Sequence, residues 1–256
     1  MDAPLLQLTG VNKSFGGVQA VKEVDFSIQK GELAALIGPN GAGKTTLFNL
    51  ITGVYGVCSG DIRLDGQSIL NFRTDQIVHK GVARTFQNLR LFQASSALEN
   101  VMTATQQHNR YGLFEALTHF GRWKQGEKNI KKDSLDFLDR VGLVDRADQA
   151  AGTLPYGLQR RLEIARALAL KPTLLLLDEP AAGMNAEEVE QLNELIVTIH
   201  RDFDLTILLI EHHMDLVMQI CPHIICLNFG AKIAEGNPEE IQSNREVLTA
   251  YLGEEE

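Results

Sequence analysis

Eight consecutive residues, Gly38-Pro39-Asn40-Gly41-Ala42-Gly43-Lys44-Thr45, fit the pattern GxxxxGK[ST], an order of residue types that handles phosphate. The glycines let the backbone wrap a phosphate chain, so that successive N–H groups and a helix N-terminus face it. Lys44 then supplies a cation for the β- and γ-phosphates, and the Thr45 hydroxyl is a ligand for Mg²⁺. A second chemical group lies far along the chain, where Leu174-Leu175-Leu176-Leu177 runs into Asp178-Glu179. Four leucines read as a buried parallel strand, and its C-terminal end is where open α/β sheets place ligands. Asp178 is the natural carboxylate for Mg²⁺. Glu179 points another way and is suited to orient and deprotonate an attacking water. The apolar run Thr206–Ile210 delivers Glu211, His212 and His213 in the same manner. His212 could donate to a terminal phosphate or position water, but spacing alone does not choose between it and His213. Acids and histidines at strand ends are also common as plain surface, and the phosphate loop is what gives these a chemical reading.

Such side chains need a frame to converge. Leu5–Val11, Ala20–Ile28 and Glu32–Gly38 carry the alternating or continuous apolar runs of strands, broken by Gly16-Gly17 and Lys30-Gly31. Lys44–Thr52 reads as a helix, which makes residues 32–52 a strand, glycine loop and helix unit. Asp61–Ile69, with its Asp65-Gly66 turn, and Gly81–Gln87 read as further strands. Between about Asn88 and Leu170 helical periodicity takes over. Ser96-Ala97-Leu98-Glu99 has capping-box spacing, and Gly126–Val141 is charged like a solvated helix. The aromatic segment 111–123 resists assignment. Strands return at Thr173–Glu179, Leu205–Glu211 and His223–Phe229, separated by helical patterns after Ala186 and Met214, which predicts a mostly parallel sheet covered by helices. The expected organisation is one α/β unit with residues 1–87 and 171–256 as core and 88–170 as an inserted helical subdomain.

Composition narrows the partners. The 256 residues carry 24 Lys+Arg against 33 Asp+Glu, a net charge of −9, which argues against a protein held mainly by nucleic-acid phosphates. Cys58, Cys221 and Cys226 form no CxxC pair and are odd in number, so neither a zinc site nor a secreted disulfide framework is indicated, and they read as inert packing residues in a reducing compartment. No run approaches the roughly 18 apolar residues needed to cross a bilayer, so a membrane role would be peripheral.

The run of motifs Gly38 to Thr45, Gln87, Leu154–Leu168 (LPYGLQRRLEIARAL), LLLLDEP, AAGMN and His212 resembles an ATP-binding cassette (ABC) ATPase in order and over nearly the whole chain. The resemblance implies a P-loop NTPase core with an antiparallel N-terminal β portion and a helical subdomain. It implies ATP and Mg²⁺ as ligands, with nucleotide contacts from Phe15, from residues 38–45 and Thr46, and from Gln87. Phe15 matches an adenine-stacking aromatic, and equally reads as a core residue of the first strand. Gln87, ending its strand, matches a glutamine that reaches Mg²⁺ or water and reports to a membrane partner. Leu154, Pro155, Tyr156, Gly157, Leu158 and Gln159 occupy the signature that contacts the ATP of an opposing subunit. Pro155 stands where that family offers a serine and has neither hydroxyl nor N–H to donate, so Gly157 is the residue that carries over best. Asn185 lies at the D-loop position and is equally a helix N-cap with Glu188 at the third position. The signature, the long insert and the Val247–Gly253 ending resemble the longer ATPase subunit of branched-chain amino acid importers. That implies a second ATPase subunit as dimer partner, two transmembrane permease subunits, a periplasmic solute-binding protein acting indirectly, no nucleic acid, and a place at the cytoplasmic face of the inner membrane. Glu179, His212 and Lys44 would carry catalysis, with Thr45, Gln87 and Asp178 around Mg²⁺. A nucleic-acid or ribosome ATPase, or a P-loop kinase or GTPase, shares the phosphate loop. The first fits poorly with the acidic charge, and the second does not need the run 154–168.

Overall fold

The computed structural model describes residues 3–108 and 122–252, so most of segment 111–123 and the acidic end Glu254–Glu256 lie outside it. The chain forms two compact units, Met1–Arg84 with Thr173–Glu256, and Thr85–Pro172.

The first unit opens with β1 (Leu6–Phe15), β2 (Val18–Ile28), β3 (Leu33–Ile37), α1 (Lys44–Ile51), β4 (Ser59–Leu64), the short β5 (Gln67–Ser68), α2 (Thr74–His79) and β6 (Val82–Arg84). In the second unit α3 (Ala97–Thr105), α4 (Arg122–Arg140) and α5 (Tyr156–Ala169) follow. The first unit resumes with β7 (Leu174–Asp178), α6 (Ala186–Asp202), β8 (Thr206–Ile210), α7 (Met214–Ile220), β9 (His223–Asn228), β10 (Ala231–Gly236), α8 (Pro238–Ser243) and α9 (Arg245–Leu252). One sheet is antiparallel, in the order β2-β1-β4-β5; the other runs β10-β9-β3-β8-β7-β6 and is parallel apart from the β9–β10 pair. β3, β7 and β8 are buried along their whole lengths, which is why their sequences run apolar without alternation. The α1 residues Leu47, Phe48 and Ile51 share a single core with Leu6 and Ile62 of the antiparallel sheet and Leu36, Leu176 and Leu208 of the parallel one.

Register sets the position of the chemistry. Leu36, Ile210 and Asp178 stand in one row across β3, β8 and β7. Because the three strands are parallel, the loop after β3, the acids after β7 and the histidines after β8 all leave the sheet at the same edge.

Two expectations need correction. The strand predicted over Gly81–Gln87 stops at Arg84, so Gln87 lies in a loop and not at a strand end. Its neighbours' backbone groups are taken by side chains of α5 instead of a strand ladder: Arg160 donates to Phe86 O at 2.7 Å and Gln87 O at 2.9 Å, and Glu163 accepts from Phe86 N and Arg90 N. Nor do all three cysteines pack inside. Cys58 is exposed, while Cys221 and Cys226 are buried thiols that burial pushes up to about 12 and about 11. The Ser96 capping box is present, with Ser96 Oγ accepting from Glu99 N at 3.1 Å and Glu99 Oε2 accepting from Ser96 N at 2.7 Å. The short α2, β10 and the two C-terminal helices α8 and α9 were not apparent in the sequence pattern.

Candidate functional site

The loop between β3 and α1 is built around two glycines. A Cβ at Gly38 would lie 2.1 Å from Leu227 O, and one at Gly43, where φ is 101°, would lie 2.5 Å from Ala20 O. No larger residue fits either place, so the loop keeps its tight path. Gly43 is the N-cap of α1 and donates no side-chain cap, leaving the first-turn N–H groups of Lys44, Thr45 and Thr46 without intrahelical acceptors. Asn40, Gly41 and Thr45 are exposed and Pro39 and Thr46 half-buried, while Gly38 and Ala42 are buried against the sheet. Lys44 is buried, and its Nζ donates to Gly38 O at 2.6 Å and Pro39 O at 2.9 Å. Burial draws its ammonium below the usual lysine range, against the pull of the Glu179 and Asp178 carboxylates, which places both acids within electrostatic reach of the loop.

Glu179 is the least expected backbone in the site. Its φ is 48°, a left-handed conformation that costs a non-glycine residue about 1–3 kcal/mol. Glu179 N still donates to Ile210 O at 2.9 Å, and the turn sends the side chain along the strand edge, where Oε1 meets His212 Nε2 at 2.7 Å. The two side chains are 13% and 36% exposed, so the pair is reached by solvent. The two histidines that spacing left open part company here: His212 faces Glu179, while His213 turns to Glu211, its Nδ1 3.1 Å from Oε2.

Asp178 is buried at the end of β7 and pairs with Arg84, a residue sequence reasoning passed over. Arg84 Nη2 lies 2.6 Å from Asp178 Oδ2, and its Nη1 donates to Asn49 Oδ1 of α1 at 2.7 Å, so the guanidinium ties the acid to the helix that follows the phosphate loop. Both side chains of the pair are under 7% exposed. Removing one partner of such a pair leaves a buried charge without that support, so Arg84→Met is expected to lower stability by about 3–5 kcal/mol in urea unfolding. An unchanged midpoint would contradict the pairing.

Phe15 is 41% exposed, which removes the reading of it as a core residue; its ring stands edge-on to Tyr55 at 5.1 Å, with Lys13 Nζ 4.9 Å above it. Asn185 forms a full capping box at α6, accepting from Glu188 N at 3.0 Å while Glu188 Oε2 accepts from Asn185 N at 3.1 Å. In the second unit Pro155 is the N-cap residue of α5 and supplies no side-chain cap. Leu154 and Gly157 are buried, Leu158 and Gln159 half-buried, and Gln159 Nε2 donates to Leu154 O at 2.8 Å. Tyr156 is exposed on its ring, yet its hydroxyl accepts from Arg160 Nη2 at 3.1 Å. Arg160 is fully buried and also bonds Glu163 at 2.8 Å; burial pushes the Glu163 carboxyl up despite that partner. Gln87 is exposed in the loop that Arg160 holds. Sequence reasoning missed Arg160 and Glu163, whose i,i+3 spacing on a helix was the available signal.

The donor set suits a Mg²⁺ ion that arrives with phosphates. Such an ion takes one or two carboxylates plus phosphate and water oxygens, and the site offers Asp178 and the Thr45 hydroxyl. Among the described residues no group of three or more His, Cys, Asp or Glu side chains could hold a metal alone.

Comparison with known proteins identifies the family. The model of the ABC transporter family matches residues 21–182, and that of the branched-chain amino acid ATP-binding cassette transporter matches residues 231–256. The chain is 44% identical over 254 residues to the high-affinity branched-chain amino acid transport ATP-binding protein BraF of Pseudomonas aeruginosa, covering 99% of this chain and 100% of that one. It is 43% identical, with the same coverage, to LivG of Escherichia coli, whose name gives the same transport role. Among solved structures, a nucleotide-free ATP-binding cassette from an ABC transporter superposes with a TM-score of 0.83 at 29% identity, covering 98% of this chain and 100% of the other. An ADP-conformation cassette does so at 0.84 and 28%, with the same coverage. With a family model over more than half of its length and relatives more than 40% identical over their full length, the chain belongs to the ATP-binding cassette family of ABC transporters.

Proposed function

We propose that this chain binds ATP with Mg²⁺ on residues 38–46, hydrolyses it with Glu179 and His212, and so energises an importer of branched-chain amino acids or related small solutes. The observation that carries the reading is the 2.7 Å contact of Glu179 with His212, at the edge where the phosphate loop also leaves the sheet. Amides of the α1 N-terminus and Lys44 hold the triphosphate, and Lys44 must exchange its loop carbonyls for phosphate oxygens to do so. Glu179 takes the proton of the attacking water, and His212 keeps its carboxylate aimed at the edge while offering a hydrogen bond to the terminal phosphate. Thr45, Asp178 and Gln87 would hold Mg²⁺, which when bound offsets charge on the phosphate oxygens. Phe15, 41% exposed, is the adenine platform.

In this reading a second ATPase subunit places its residues corresponding to 154–159 over the nucleotide, and Asn185 serves the contact between subunits beside its capping role. The chain works at the cytoplasmic face of the inner membrane on two permease subunits fed by a periplasmic binding protein. Support comes from the transport names of relatives such as BraF and LivG; among the described residues no helix is long and apolar enough to cross a membrane. A cassette ATPase uncoupled from transport, the alternative open in the sequence, lacks any such support. Co-purification with the permeases, followed by ATPase assay with and without solute-loaded binding protein, tests the reading: stimulation by a branched-chain amino acid is expected, and solute-independent turnover would refute it.

Pro155 gives a separate prediction. Since proline offers no donor, Pro155→Ser in the assembled transporter is expected to raise turnover severalfold if the trans contact limits it, with ATP titration as the check. Unchanged turnover would mean that the free amides at the start of α5 already make that contact.

A further inference from the structure

Glu211 is buried, with 1% of its side chain exposed, and its carboxylate spans two loops of the site. Oε1 accepts from Ala181 N at 2.7 Å, two residues beyond Glu179. Oε2 accepts from His212 N at 3.0 Å and His213 N at 3.4 Å, and lies 3.1 Å from His213 Nδ1. An ionised carboxylate only accepts, and every one of these partners is a nitrogen able to donate, so the arrangement is matched in type at each contact. One side chain therefore clamps the loop after β7 to the loop after β8, and those are the loops that carry Glu179 and His212. The strained φ of Glu179 needs such a restraint, since a left-handed glutamate persists only where its surroundings over-determine it.

We infer that Glu211 is a positioning residue that sets the separation of the Glu179–His212 pair, an inference that rests on that pair being the hydrolytic one. Glu211→Gln keeps the shape but replaces one oxygen with an NH₂ group. A donor then faces either Ala181 N–H or the two histidine amides, and one side of the clamp opens. Misplacement of a catalytic pair by about 1 Å is worth on the order of 10²-fold in rate, without a matching loss of ground-state binding.

The test uses histidine-selective ¹⁵N spectra of the full chain together with ATP titration and turnover, for the wild type, Glu179→Gln, Glu211→Gln and Glu211→Asp. Glu179→Gln marks where the His212 ring signal goes when its partner carboxylate is lost. In Glu211→Gln that signal is expected to move the same way, with turnover down roughly 10- to 100-fold and ATP affinity within about twofold of wild type. Glu211→Asp keeps the charge but is one methylene too short to reach Ala181, so it should shift the signal in the same sense and stands in if the glutamine variant does not fold. A wild-type His212 signal in a folded Glu211 variant, or equal losses in affinity and turnover, would overturn the inference. If Glu179→Gln itself leaves both the His212 signal and turnover intact, the hydrolytic assignment fails and takes the Glu211 role with it. A normal response to Glu179→Gln with silent Glu211 variants sinks the positioning role alone.

Discussion

Glu179→Gln is expected to bind ATP as the wild type does and to turn over about 10²- to 10⁴-fold more slowly, the usual worth of a general base. The amide keeps the size of the side chain and still offers Oε1 to His212, so the contact at 2.7 Å loses its charge more than its shape. What disappears is the group able to take a proton from water. The variant should therefore trap the nucleotide-bound state, and nucleotide occupancy and turnover measured on one preparation separate the two effects. Near-normal hydrolysis would remove Glu179 from the role, and a parallel loss of binding would recast it as a ligand of the nucleotide.

Lys44→Ala carries the other large effect, and it falls on binding. A charge-assisted hydrogen bond to phosphate contributes about 1.5–3 kcal/mol, so affinity for a fluorescent ATP analogue should drop by roughly 10- to 100-fold. The structure adds a qualification to the size. In its present arrangement the Lys44 ammonium satisfies Gly38 O and Pro39 O, so binding gains the lysine–phosphate contact only after giving up those two bonds. The observed loss is then the difference between two sets of hydrogen bonds, and it should sit toward the lower end of that range. Unchanged affinity would contradict the phosphate-loop assignment.

The parts of the site that could be read in the sequence are those in which chemistry is local. Gly38 to Thr45 is contiguous, and the apolar runs ahead of Asp178 and Glu211 announce buried strands, which are β7 and β8, in parallel register with β3. Asn185 and Ser96 were legible for the same reason, since a capping box is complete within four residues. Whether His212 or His213 faces the acid depends on how the chain turns after Ile210, which no periodicity encodes. Arg84 meets Asp178 from 94 residues away and Glu211 meets Ala181 from 30, so neither pairing leaves a local pattern. The strand predicted to run through Gln87 failed on a similar account: its apolar run continues, but Arg160 and Glu163, more than 70 positions downstream, take the backbone groups that a ladder would have used. Phe15 shows the limit of composition, because a phenylalanine on an amphipathic strand reads as core until its exposure is seen. β10 was silent because it is only partly covered and mixes Lys232 and Glu235 with small residues.

The most direct measurement is a structure of the Glu179→Gln chain with ATP and Mg²⁺. The account predicts the triphosphate cradled by residues 38–46, Lys44 Nζ moved from Gly38 O and Pro39 O onto phosphate oxygens, and the terminal phosphate facing residue 179 and His212. Nucleotide bound elsewhere, with Lys44 still closed on its own loop carbonyls, would contradict it.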